Sequence, residues 1–430
     1  MENAALLFGL MFLLFLFGLP VAFSIMLSSS LFLVITQMRP LLVVPQRIFT
    51  GMDIFPLLAI PMFILMGSLM EKAGLSKRLI ELVNMIVGNV TGALGTVTIL
   101  ACAIFGALTG SAPATVAAIG SIMLPAMMNE GKYPPKVATG LIASAGALGN
   151  IIPPSIALIL YGATVNVSIP KLFIGNIVPG LLIAFALIIT NVIIVKRLHL
   201  PQKERNHYTA SQALAVIWRA FPALCLPVII LGGIYGGVFT PTEAASIGVL
   251  CSLILGLCYR KFTLVIMYDV LLSSVKTTAM VGFILGAAGI FGWILSSARI
   301  PYLLANSILP ILESKVIFLA LLTVFLLFVG CIMDAGASIV ILAPILAPIG
   351  VKLGVDPVHL GVVFCVNLVI GFFTPPFGLN LFTTASVSGQ PYEVVVRGIP
   401  PFIIAAILIL ILVTFCPPLV MFLVNLSTGV

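Results

Sequence analysis

The stretch LGNIIPPSIALILY, residues 148–161, places two consecutive prolines inside an apolar segment, 137–170, that carries no charge. A proline removes one N–H donor and clashes with the carbonyl four residues back. Pro153 and Pro154 therefore release the carbonyls of Gly149 and Asn150. A free carbonyl in hydrocarbon is costly and persists only where something polar meets it. The chain makes the same break again. IGFFTPPFGLNLF, residues 370–382, shares G-x-x-x-P-P at an offset of 222 and releases the carbonyls of Gly371 and Phe372. One reading is a pair of kinked helices repaired by neighbours and water. The other is a pair of broken helices whose carbonyls face a cavity and a hard cation such as Na⁺, with Asn150 and Thr374 adding an amide and a hydroxyl. Matched breaks in both halves favour the second.

The match extends outward from the proline pairs. Pro20 and Pro241 each join two apolar runs, at an offset of 221. Gly67 in FILMGSL and Gly289 in FILGAAGIFG stand 222 apart, and Thr115 and Ser338 stand 223 apart. Four matches in order near one offset indicate a duplication. Apolar runs occupy 4–19, 21–37, 55–71, 85–129, 137–170 and 173–195, with a short amphipathic stretch from Lys77 to Asn84. They resume at 220–238, 242–258, 277–298, 316–351, 357–392 and 400–425. If each long tract enters and leaves on one side, a half crosses an odd number of times and the two halves insert upside down to each other. The clearly aqueous segment is 196–219, with Lys196, Arg197, Lys203, Glu204, Arg205 and Arg219. Placing it in the cytoplasm puts fourteen of the twenty Lys+Arg inside and leaves Arg39, Arg47, Lys171, Arg299, Lys315 and Lys352 outside, as the positive-inside rule prefers. Both termini then fall outside.

Composition agrees. Of 430 residues, 61% are apolar and 7% charged, and the mean hydropathy is +1.30. An ordinary soluble domain carries about 25% charged residues. A soluble fold could not hide this apolar surface, so the chain belongs in a bilayer. That excludes a secreted enzyme, a nucleic-acid binder and a disordered regulator. The net charge of +8 reads as loop charge that orients the chain, not as a nucleic-acid footprint. The seven cysteines lie in apolar runs without a CxxC pair, and His199, His207 and His359 have no metal-ligand spacing. Met1-Glu2-Asn3 lacks the positive region of a signal peptide, so the first run reads as a retained membrane helix.

Two tracts carry turn chemistry at their centres: Thr109-Gly110-Ser111-Ala112-Pro113-Ala114-Thr115, and Asp334-Ala335-Gly336-Ala337-Ser338. Each arm of 316–351 holds about 17 residues, nearly enough to cross at 1.5 Å per residue, so length does not separate a full pair of spans from a re-entrant hairpin. The small, flexible, uncharged turns lean toward the hairpin. Asp334 is the acidic residue far from any expected interface, and an ionisable group at such depth is a functional candidate. Three roles are open to it: cation ligand, N-cap of the second arm, or substrate contact. Glu243, after Pro241, reads as helix-start chemistry. Asp53, Glu71, Asp269 and Glu393 sit near ends of runs and read as interfacial. Arg299 reads as a snorkelling residue, with attraction of an anionic substrate as the alternative. Helix starts at Pro113–Thr115 and Gly336–Ser338 would point positive dipole ends at the centre, which suits a carboxylate. No nucleophile–base pair, nucleotide loop or HExxH motif occurs, so the chain reads as a non-enzyme driven by an ion gradient or a partner.

At GSAPATVAAIG (110–120), GNIIPPSIALILYG (149–162) and GFFTPPFGLNLF (371–382), the sequence resembles the large membrane subunit of tripartite ATP-independent periplasmic (TRAP) transporters, over essentially its whole length. Among subtypes it looks most like the sialic-acid transporters, and C4-dicarboxylate relatives share the motifs. The resemblance implies an all-α polytopic membrane protein: an inverted repeat with two re-entrant helical hairpins and two broken helices, of the elevator type. It divides the chain into scaffold helices at 1–52, a first transport-domain half at 53–170, scaffold helices and cytoplasmic linker at 171–262, a second transport-domain half at 263–396 and a C-terminal scaffold helix at 397–430. It implies a bacterial inner-membrane location and import of an acidic small molecule coupled to two or more Na⁺. The implied partners are a periplasmic substrate-binding protein, a separate small membrane subunit and lipid, with no nucleic acid. One Na⁺ is expected near Ser111, Gly149 and Asn150, and a second near Gly336, Gly371 and Thr374. Substrate is expected between the tips, touching Ser111, Ser155 and Asp334. The alternatives are a C4-dicarboxylate or other organic-acid TRAP transporter, or a stand-alone sodium symporter of related fold.

Overall fold

The computed structural model describes residues 2–88, 90–201, 208–303 and 314–428. Lys203, Glu204, Arg205 and His207 lie outside them. The described residues form helices and turns, with no strand. The first half runs α1 (Glu2–Leu16), α2 (Val21–Thr36), α3 (Val43–Met52), α4 (Ala59–Lys72), α5 (Leu75–Val87), α6 (Ala93–Thr109), α7 (Ala112–Pro125), α8 (Pro135–Gly146), α9 (Leu148–Ile151), α10 (Ile156–Val165) and α11 (Ile169–Arg197). The second runs α12 (Ala210–Tyr235), α13 (Pro241–Cys258), α14 (Leu264–Ser297), α15 (Lys315–Ile332), α16 (Ala335–Lys352), α17 (Pro357–Gly371), α18 (Leu379–Ser388), α19 (Tyr392–Gly398), α20 (Pro400–Phe415) and α21 (Pro418–Thr428).

Local chemistry sets many of these boundaries. Thr240 accepts the Glu243 N–H while the Glu243 carboxylate accepts the Thr240 N–H at 2.8 Å, a capping box that opens α13 at Pro241. Asp356 accepts the N–H groups of Val358 and His359 and starts α17. The Lys77–Asn84 stretch lies within α5, which buries Leu75, Leu79, Leu82 and Val83 on one face. Among the described residues eight helices are long and apolar enough to cross a membrane, or up to ten if each bent pair is one span. Large apolar side chains point outward, among them Leu264 (91% exposed) and Trp218 (74%), and only lipid or a membrane partner satisfies such a surface.

The duplication is built into the packing. α10 lies against α16, and its counterpart α18 lies against α7. Each half's broken helix thus leans on the other half's hairpin. Likewise α4 packs on α13, while α14 packs on α2 and α3. The hairpins themselves are α6 with α7 and α15 with α16, each pair in contact. Two expected spans differ from what is observed. The 277–298 run is part of one continuous helix from Leu264 to Ser297, whereas its counterpart is split into α3, a 3₁₀ turn at Phe55–Leu58 and α4. The first half carries Asp53 and Pro56 at that point, and the second has neither proline nor glycine between Leu264 and Val281. The 400–425 run is two helices, because Pro417 and Pro418 end α20 and begin α21.

Candidate functional site

The first hairpin turns at Gly110, whose φ of +62° is the left-handed conformation that glycine adopts without a Cβ penalty. Ser111 is extended, and α7 begins at Ala112. Thr115 Oγ1 donates to the Ser111 carbonyl at 2.8 Å and lies 3.2 Å from Thr109 Oγ1. The tip is joined to the first break on both sides. Asn150 Oδ1 accepts the Ala112 N–H at 3.1 Å, and the Gly110 carbonyl accepts the Ile156 N–H at 3.3 Å. Behind the tip, backbones touch: a Cβ on Gly106 would stand 2.5 Å from Gly149 Cα, and one on Gly149 would stand 2.7 Å from the Ser111 carbonyl oxygen. Small residues permit this approach, the main attractive device between helices in lipid.

The second tip is built differently. Asp334 is the N-cap of α16, with Oδ2 accepting the Gly336 N–H at 2.8 Å. Ser338 Oγ donates to the Asp334 carbonyl at 2.9 Å. Gly371 repeats the glycine approach, since its Cβ would stand 2.6 Å from Gly330 Cα in α15. In the second break the Gly371 carbonyl accepts the Thr374 N–H and the Phe372 carbonyl accepts the Asn380 N–H, both at 2.9 Å. Both proline pairs, Pro153–Pro154 and Pro375–Pro376, are joined by cis peptide bonds.

The two tips meet at a cavity of about 340 Å³. Ser111, Asn150, Asp334 and Gly336 line it, together with Phe372. Ser111, Gly149 and Asn150 come together as one group. Of the second expected group, Gly336 is on the cavity wall, and a Cβ on Gly371 would meet the backbone of Gly330 and Cys331. Thr374 Oγ1 donates to the Ile370 carbonyl at 2.9 Å and is not among the lining residues. Ser155 is fully buried as the N-cap of α10, and its hydroxyl donates to the Asn150 carbonyl, so it also stands off the wall. Three of the four carbonyls that the prolines release therefore already have a protein donor; each carbonyl still keeps a second lone pair.

Four polar wall residues lie outside the sites expected from the sequence: Ser68, Glu71, Thr109 and Thr277. Glu71 matters most. Expected at the interface, it also lines the cavity, its side chain 37% exposed, with Lys72 Nζ at 3.7 Å. A signal was present, because Gly67, Ser68 and Glu71 fall at i, i+1 and i+4, a small and polar stripe in an apolar helix. The lining holds two carboxylates, Asp334 and Glu71, and no Lys or Arg. Among the described residues no three His, Cys, Asp or Glu side chains cluster as metal ligands. A cation here would meet hydroxyl, amide and carbonyl oxygens together with the Asp334 and Glu71 carboxylates, the donor set of a hard ion.

The family profile described as "Tripartite ATP-independent periplasmic transporter, DctM component" matches residues 8–419. The isethionate TRAP transporter permease protein DctMQ of Oleidesulfovibrio alaskensis is 40% identical over 97% of this chain, which spans 65% of that longer protein's length. The C4-dicarboxylate TRAP transporter large permease protein DctM of Pseudomonas aeruginosa is 41% identical over 86% of each chain. The sialic acid TRAP transporter large permease protein SiaM of Vibrio cholerae is 36% identical over 98% of each. The solved YdaH transporter of Alcanivorax borkumensis superposes with a TM-score of 0.62 at 16% identity, covering 89% of this chain and 88% of that one, a likeness of fold. The protein is thus a multi-pass protein of the bacterial inner membrane. It belongs to the tripartite ATP-independent periplasmic transporter family, as a DctM component, the large permease.

Proposed function

We propose that this chain imports an acidic small molecule together with Na⁺, by an elevator movement of the two hairpins and broken helices against the remaining helices. A periplasmic binding protein delivers the substrate, and a small membrane subunit completes the complex. The observation that carries this is the charge of the cavity. Two carboxylates and no basic side chain line it. At an effective dielectric constant of about 20, a like charge about 6 Å away costs about 3 kcal/mol. Lys72 offsets part of the Glu71 charge at the exposed rim, but Asp334 has no basic neighbour within ion-pairing distance among the described residues. An organic anion therefore enters this space only in company with cations, and that requirement is itself a coupling mechanism. The group formed by Ser111, Gly149 and Asn150 supplies one place for such a cation.

Relatives of similar identity are named for isethionate, a C4-dicarboxylate and sialic acid. The substrate class we assign is thus a small organic acid, with sialic acid one of three to be tried. The test is uptake of each radiolabelled acid into proteoliposomes holding the complete complex, with and without an inward Na⁺ gradient. Uptake indifferent to Na⁺ overturns the coupling. Uptake undiminished without the binding protein makes the chain a stand-alone symporter.

A further inference from the structure

A second cavity, about 360 Å³, lies across a wall formed by Leu285 and Val340, which line both spaces. Along α16 it lies on the Lys352 side of the Asp334 tip, at Val340 and Pro344, and Lys352 stands at the end read as outer. Its charged lining residue is Arg47, whose guanidinium sits 5.1 Å from the centroid of the Trp293 ring. Among the described residues no carboxylate stands within ion-pairing distance of Arg47. Thr164 and Ser296 add hydroxyl-bearing side chains to the same wall.

The location follows from the duplication. Gly67 and Glu71 of the central cavity correspond, at the offset of 222, to Gly289 and Trp293 of the second. The α4 wall of the central cavity and the α14 wall of the second are thus counterparts under the inverted repeat. At the Gly67 end a hairpin tip is docked, since a Cβ there would meet Thr109 Cα at 3.2 Å. At Gly289, the counterpart, a Cβ would meet the Arg47 carbonyl and Gly51 Cα of α3 instead of a hairpin tip, and Gly292 beside it lines the cavity with nothing within 4 Å of its Cβ position. The shapes are related but the charges are not. Glu71 stands where the counterpart has Trp293, and at the same offset Arg47 falls on Asp269. The position of Arg47 is fixed by backbone contact: a Cβ on Gly51, one turn along α3, would stand 2.7 Å from Gly289 Cα, one turn before Trp293. A guanidinium held over an aromatic face, with its N–H edge free, presents the planar donor set that matches a carboxylate or sulfonate.

We propose that the Arg47–Trp293 cavity is a second anion subsite: it takes the acid group of the substrate when the hairpin tips stand at that end. The inference rests on the transport reading above. It gives the pathway a polarity. The anion meets a guanidinium at one end of its travel and a carboxylate at the other, so binding is favoured where Arg47 stands and release where Glu71 stands.

Trp218 and Trp293 are the two tryptophans of the chain, so Trp218→Phe leaves Trp293 as its reporter. The full-length chain in lipid nanodiscs is titrated with sialic acid, succinate and isethionate, and Trp293 emission is followed. One of the three is expected to give a saturable change. Its half-saturating concentration should rise at least tenfold in Arg47→Gln and recover only in part in Arg47→Lys, which keeps the charge without the planar fork. Equal titrations in the Arg47→Gln and parent chains, or no response to any acid from a chain that melts cooperatively, overturn the subsite. Na⁺-driven uptake by the same chains in the complete complex decides the transport reading separately. Uptake intact in Arg47→Gln with no Trp293 response removes the subsite and leaves transport standing. An Arg47-dependent response without Na⁺-driven uptake does the reverse.

Discussion

The two proline breaks are copies in sequence and opposites in construction. The first spans four residues, Ile152 to Ser155, and is buried or nearly so throughout. Its neighbours close it: Asn150 holds the Ala112 N–H, Gly110 holds Ile156, and Ser155 holds the Asn150 carbonyl. The second spans seven residues, Phe372 to Gly378, and exposes Pro376 and Phe377. Its backbone bonds are short-range, within the break or to the next helix, the Tyr392 hydroxyl donates to the Pro376 carbonyl, and its hairpin tip carries the charge instead. A duplication that keeps the breaks but divides closure and charge between them gives one half a preformed cradle and the other a surface that ligand completes. Ligand-dependent ordering should concentrate at Phe372–Gly378 and Asp334, and the first break should barely respond.

Removing the charge tests this most severely. Asp334→Ala should abolish uptake, at least a hundredfold below the parent, and should also lose an N-cap worth about 1 kcal/mol. Asp334→Asn keeps an N-cap of equal rank, so it should melt like the parent and still fail to transport. Near-normal uptake by Asp334→Asn would move the coupling charge elsewhere. The glycine contacts come next. Gly371→Ala drives a Cβ into the Gly330 and Cys331 backbone, whereas Gly149→Ala also meets the Thr115 hydroxyl, which can rotate away. Overpacking costs about 1–3 kcal/mol, and Gly371→Ala should sit at the upper end. A lower melting temperature for Gly149→Ala than for Gly371→Ala would reverse the ranking. Asn150→Ala strands the Ala112 N–H, at about 1–3 kcal/mol for a buried donor left without a partner. It should raise amide hydrogen exchange across Ser111–Thr115 while leaving the second tip as protected as before. The smallest effect is expected at Thr374→Ala, a severalfold weaker apparent Na⁺ affinity with unchanged substrate affinity. An unaltered Na⁺ dependence would separate Thr374 from any ion site.

The architecture was legible because prolines in apolar sequence have few uses, and a common offset turns isolated oddities into a repeat. The grouping of Ser111, Gly149 and Asn150, where we propose a cation, was legible for the same reason: Gly149 and Asn150 sit at the break, and Ser111 sits at a turn with no charge to hold it in water. What the sequence could not convey is proximity between chain segments. Gly106 reads as one small residue among many until it is found against Gly149. Ser155 reads as a ligand hydroxyl until its partner proves to be the carbonyl released a few residues earlier. Glu71 reads as interfacial because charge at the end of a run normally meets headgroups, and only the packing of α4 beside the tips brings it onto the rim. The split of α3 from α4 follows from Asp53 and Pro56, for which the second half has no proline or glycine in the matching stretch.

The exchange of partners between halves, α10 on α16 and α18 on α7, also governs how the molecule is made. A ribosome finishes α10 well before it starts α16. At about 5–20 residues per second that interval is on the order of ten seconds or more. Through it the first proline break is already in the bilayer without the surface that later covers it. The nascent first half must therefore be sheltered by the insertion machinery or held near the interface until the second arrives. Expressed as two separate polypeptides, the halves should escape membrane proteolysis only when made in the same cell.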